Sequence, residues 1–109
     1  ESMATYVHDG EAIDYTPTAD VAAGAVVVQG ELVGVTKSPI AANKLGALAV
    51  TGVFDFPKAT GSAITAGALC YWDATNQRAT TTATGNKLIG KCVKAAADVD
   101  TTVRVRMSQ

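Results

Sequence analysis

The stretch Leu45-Gly46-Ala47-Leu48-Ala49-Val50-Thr51-Gly52-Val53-Phe54-Asp55-Phe56-Pro57-Lys58 decides the reading of this chain. It is apolar, broken by glycine, and rich in β-branched and aromatic residues, the types that suit a pleated, half-buried surface. It predicts one long strand, or two strands broken at Gly52, stopped at Pro57, which has no N–H for a ladder bond. No nucleophile–base pair, phosphate loop or metal-ligand cluster falls within it. Its residues go into packing.

The same pattern extends to both sides. Turn residues separate short segments of period two. Strands are expected at 12–15, at 25–29 and at 32–36, the last two joined by the tight turn Gly30-Glu31, where glycine accepts the positive φ of a hairpin. A loop with Ser38-Pro39 covers 37–43. A small, polar loop with a short extended piece covers 59–67. Strands follow at 68–72, 78–82, 87–94 and 101–107, with turns at Asp73-Ala74-Thr75-Asn76 and Gly85-Asn86. In the last strand Val103, Val105 and Met107 alternate with Thr102, Arg104 and Arg106, so one face is buried and the other wet. No window carries an apolar repeat at helical spacing. The expectation is an all-β domain over residues 3–109, barrel-like or sandwich, of about eight short strands with little or no helix.

An internal echo runs through these segments. Ala23-Gly24-Ala25 opens a strand and is followed by Leu32-Val33-Gly34; Ala66-Gly67-Ala68 opens another and is followed by Leu88-Ile89-Gly90. The second copy carries an insertion around 76–85. The echo reads as two similar β units.

Composition narrows the function classes. The chain has 109 residues, 48% apolar and 17% charged, with a formal net charge of −1. That is enough chain for one core, burying about 65% of the unfolded surface. The near-neutral balance leaves no electrostatic footprint for nucleic acid or acidic membranes. No apolar run reaches the roughly 18 residues of a membrane span. Glu1 and Ser2, before Met3, read as a cloning remnant. Cys70 and Cys92 read as reduced, buried thiols.

The candidate chemistry is thin. Residues 85–92, Gly-Asn-Lys-Leu-Ile-Gly-Lys-Cys, match the spacing of a phosphate loop, but Cys92 replaces the magnesium-binding hydroxyl and no room follows for a helix. A turn and a strand are expected there. His8, beside Asp9, Glu11 and Asp14, reads as a solvated turn, because a proton-transfer or metal site needs groups converging from separate elements. Asp55 is expected to face water between Phe54 and Phe56. Arg104 and Arg106 share a face, and are read either as a carboxylate or phosphate grip or as charges protecting a sheet edge. Tyr71 and Trp72 point to opposite faces, one to the core and one to a contact surface. The reading assigns no catalytic residue, no cofactor, no metal and no small-molecule substrate.

Several segments together carry a family resemblance: Tyr6-Val7-His8-Asp9-Gly10, Ile13-Asp14-Tyr15, Ala23-Gly24, Leu32-Val33-Gly34-Val35, Val50-Thr51-Gly52-Val53-Phe54-Asp55-Phe56-Pro57-Lys58, Ala66-Gly67, Tyr71-Trp72-Asp73, Leu88-Ile89-Gly90 and Val103-Arg104-Val105-Arg106. In this order they resemble the phage capsid cement, or head decoration, family. The resemblance implies a structural protein of a tailed phage or prophage. It would bind the major capsid protein on the outer surface of the expanded head, as a homotrimer, and would be found in the bacterial host cytoplasm during assembly and on the virion capsid surface afterwards. Some relatives carry a recombinase label, which the failed phosphate-loop match does not support. Phe54, Phe56, Tyr71 and Trp72 are then the expected subunit-contact residues. Tyr6, Val7, Ile13 and Tyr15 are the expected capsid-contact residues, on a segment, 3–15, that is partly mobile until bound. The rival readings are a monomeric module binding a cell-surface glycan through an aromatic-lined pocket, and a nucleotide-dependent DNA enzyme.

Overall fold

The computed structural model describes residues 3–109; Glu1 and Ser2 lie outside the described residues. Nine strands form: β1 (Ala12–Tyr15), β2 (Val26–Gln29), β3 (Leu32–Val35), β4 (Gly46–Ala49), β5 (Gly52–Pro57), β6 (Leu69–Asp73), β7 (Arg78–Thr80), β8 (Lys87–Lys94) and β9 (Thr102–Met107). They build two antiparallel sheets, one of order β1-β4-β3-β2 and one of order β5-β9-β8-β6-β7. Of the two expected architectures, the sandwich is the one adopted. The opening stretch forms two strands in different sheets, and the break falls at Gly52, whose φ of 111° only glycine adopts without strain.

Alternation explains the core. Val103, Val105 and Met107 of β9 face inward with Phe56, Cys70, Trp72, Ile89 and Cys92, and Val33 and Val35 of β3 close over them from the other sheet. Phe56 sits at the centre, its ring 6.1 Å from Trp72 and edge-on to Phe54 at 6.4 Å. On the opposite side of β3 and β4, fully buried Leu48 lies against Gly34, and Ile40 against Gly46. A side chain just beyond β9 also ties the two sheets. The Gln109 carboxamide donates to the Val33 carbonyl and accepts from the Val33 N–H, both at 2.7 Å.

The echo in the sequence is an equivalence in hydrogen bonds. Val21 and Ile40 exchange both backbone bonds, as do Ile64 and Ala96. Three residues on, Gly24 N–H donates to Thr36 and Thr36 N–H to Ala25; Gly67 N–H donates to Cys92 and Cys92 N–H to Ala68. Gly24 and Gly67 share φ near 81° and 88°. Two residues before Thr36 and Cys92 stand Gly34 and Gly90, each pressed by the next strand. The second unit is longer because the turn that joins β2 directly to β3 is replaced by an excursion through β7. β7 pairs with β6, whereas the corresponding outer edge of β2 has no strand neighbour.

Candidate contact surfaces

The expected site residues divide by the face their strands present. Phe56 and Trp72 are 1% and 3% exposed. Both belong to the chain's own core, so the expectation that they meet a neighbouring subunit is corrected. In β5 the inward positions are 54 and 56, and in β6 they are 70 and 72. Phe54 is half-buried against the core. Tyr71, on the outer face of β6 opposite Thr80 and Leu88, is the half-exposed aromatic of the expected pair.

The N-terminal segment is also divided. Tyr6 and Val7 are 77% and 81% exposed and precede any regular structure. Ile13 and Tyr15 are half-buried in β1, opposite Leu48 and Gly46 of β4. Those two are therefore part of the sheet in this chain alone, against the expectation that the whole of 3–15 waits for a partner. The acidic turn is locally bonded. His8 Nδ1 accepts from Gly10 N–H at 2.9 Å, and the Tyr6 hydroxyl donates to Asp9. That bond holds the Tyr6 phenol above its ordinary pKa, since the proton is shared with a carboxylate.

The outer face of the five-stranded sheet carries a group of charged side chains. Asp55 and Arg104 face each other across β5 and β9 and form a two-pronged ion pair, Nε to Oδ1 at 2.9 Å and Nη2 to Oδ2 at 3.2 Å. The guanidinium bonds hold the Asp55 carboxyl below its ordinary range, helped by the field of Arg104 and Lys94. β9 lies between β5 and β8, so Arg104 and Arg106 do not guard an edge; that alternative is corrected. Their cross-strand partners on β8 are Lys94 and Lys91. Sequence reasoning missed these pairings because the β8–β9 register, with its irregularity after Cys92, is not written in either strand alone.

The remaining candidates have structural roles. Residues 87–92 of the phosphate-loop lookalike lie in strand β8, and Lys87 pairs with Glu31 at 2.7 Å. Cys70 and Cys92 are both buried and free. Cys70 pairs with Gly90, so Cys92 is its diagonal neighbour across β6 and β8. Burial pushes the Cys70 thiol up to about 11. Lys58, not singled out in the sequence, is 6% exposed, its ammonium donating to the carbonyls of Ala59 and Asp100. It ties the end of β5 to the β8–β9 loop. A groove of about 480 Å³ runs past Gly10, Leu32, Gly52, Arg106 and Gln109, with no aromatic side chain in its walls. Among the described residues no three His, Cys, Asp or Glu side chains converge, and no helix is long and apolar enough to cross a membrane.

Fold and surfaces together define a β-sandwich with charged side chains on the outer face of its five-stranded sheet and an exposed N-terminal arm. The profile of the phage cement proteins matches residues 7–107, and the chain belongs to that family. The family is structural rather than catalytic, and its role is capsid cement or decoration, in association with phage capsid proteins in the virion. No curated protein and no solved structure matches the chain.

Proposed function

We propose that this protein binds the outer surface of an expanded phage head, against the major capsid protein, and stabilises the shell against the pressure of packaged DNA. It acts as a homotrimer, is made in the host cytoplasm, and uses no cofactor, nucleic acid or small-molecule substrate. The family match over residues 7–107 carries this reading. The architecture supports it physically. Cement must resist deformation, and a sandwich with a continuous apolar core does. A shell repeats each modest contact by symmetry, so no single interface needs high affinity. The exposed arm with Tyr6 and Val7 is the proposed capsid contact, and Tyr71 with the outer sheet the proposed subunit contact.

The test is addition of the purified protein to expanded, undecorated heads, followed by imaging and heating. Density at regular sites on the outer surface and a higher disruption temperature are expected. Bare heads after incubation at high protein concentration overturn the reading.

A further inference from the structure

Strands β5 and β7 are the two edges of the five-stranded sheet, yet Lys58, just past β5, bridges to Ala79 of β7. A pocket of about 130 Å³ lies at this seam. Its walls hold two cations, Lys58 and Arg78, and the four hydroxyls of Ser62, Thr80, Thr81 and Thr82. No aspartate or glutamate lines it. Ammonium and guanidinium groups only donate hydrogen bonds, and a hydroxyl can turn to donate, so the lining suits an acceptor of negative charge.

Lys58 is the member that calls for a ligand. A charge taken out of water needs an opposite charge or a full set of hydrogen bonds. Lys58 is 6% exposed, and its ammonium spends two of its three protons on the carbonyls of Ala59 and Asp100. Among the described residues no carboxylate lies within ion-pairing distance of Lys58 or Arg78. Two acids stand on neighbouring backbone, and both serve their own turns. Asp73, across the β6–β7 ladder from Arg78 and within reach of its field, accepts from the Thr75 and Asn76 N–H groups and the Asn76 carboxamide. The Asp100 carboxylate accepts from Ala97 N–H. Neither enters the pocket walls.

We propose that this pocket binds one oxyanion, a phosphate or carboxylate group, which brings Lys58 the negative charge it lacks. Arg78, exposed at the mouth, offers the planar fork that matches such a group, and the hydroxyls complete its hydrogen bonds. The volume admits a single group, since drug-sized ligands and cofactors fill about 300–1,000 Å³. The inference does not rest on the capsid reading above. Free phosphate and an acidic side chain of the shell present the same chemistry.

Nuclear magnetic resonance of the nitrogen-labelled protein, titrated with sodium phosphate or sodium acetate at constant ionic strength against sodium chloride, tests it. Saturable shifts confined to the amides of 58–62 and 78–82 are expected. Lys58→Met should weaken binding at least about tenfold, the worth of a hydrogen bond to a charged group. Arg78→Gln, at an exposed position, should weaken it too, and decides the matter should Lys58→Met fail to fold. Shifts that never saturate with either anion overturn the proposal, as does saturation that neither substitution moves. Undecorated heads separate the two sources. Phosphate that competes with head binding, together with weaker head binding by Arg78→Gln, assigns the pocket to a carboxylate of the shell. Phosphate that saturates the pocket and leaves head binding unchanged assigns it to a free anion. Heads that stay bare in every buffer overturn the capsid reading alone, because the titration decides the pocket by itself.

Discussion

Thr36 and Cys92 hold the same position in two copies of one backbone arrangement, each accepting from the glycine that opens its unit and donating to the alanine after it. Their side chains differ for a local reason. Ala68 N–H finds the Thr65 carbonyl at 3.1 Å, so nothing further is asked of Cys92. Ala25 N–H instead bonds the Thr36 hydroxyl at 3.0 Å, and that hydroxyl donates to the Ala22 carbonyl at 2.7 Å.

Thr36→Val should therefore destabilise the protein by about 1–3 kcal/mol, the cost of leaving a buried donor unmade. Cys92→Ala removes packing and only a weak thiol bond to the Lys94 carbonyl, 3.1 Å away, and should cost less. Chemical denaturation of the two variants, read as shifts in midpoint at constant slope, checks the difference.

The twin glycines predict a second asymmetry. A Cβ at Gly90 would stand 1.9 Å from the Arg106 carbonyl oxygen, while one at Gly34 would meet the Leu48 side chain at 2.9 Å. The Gly90 contact is with backbone and about 1 Å shorter, so β8 and β9 would have to part, whereas the Gly34 contact with Leu48 Cβ asks for a smaller shift of β4. Gly34→Ala should cost about 1–3 kcal/mol, as overpacking generally does, and Gly90→Ala more. Thermal melts of both variants give the order, and an equal loss would contradict it.

Asp55 gives the outer sheet a dependence on pH. Its folded-state pKa is depressed by Arg104, so the unfolded chain binds the proton more readily. The stabilisation is fully present above the unfolded value, near 3.9, and is lost as pH falls through the folded one. Both side chains are half exposed, so the effect is small and screened by salt. Asp55→Asn should lower the denaturation midpoint at pH 7 and leave it unchanged near pH 2.

The two thiols should be silent in the folded protein. Each is at most 2% exposed, and Cys70, its thiol pushed up to about 11, carries almost no thiolate at pH 8. Titration with a chromogenic disulfide reagent should find no reactive thiol in buffer and both in denaturant. Rapid reaction of one thiol in buffer would show that the β6–β8 region opens.

Much of the fold was legible because strand chemistry is local. The alternation in β9, the turn at Gly30-Glu31, the break at Gly52 and the run of β8 all follow from period two and from where glycine is required. Even the insertion that lengthens the second unit was readable from the spacing of its segments. The contact residues were less so. Of four aromatics expected at an interface, Phe56 and Trp72 proved to be core, because period two says that alternate residues face opposite ways but not which way is in.

The chain's own order of residues determined a β-protein of short strands, two matching units, a neutral overall charge and a cation-free first third. Only the tertiary structure decided that these strands form two facing sheets, that β9 lies inside one of them, and that Lys91 stands against Arg106. The reason is register. Period two belongs to each strand by itself, but which residue lies across from which depends on the pairing of strands far apart in the chain.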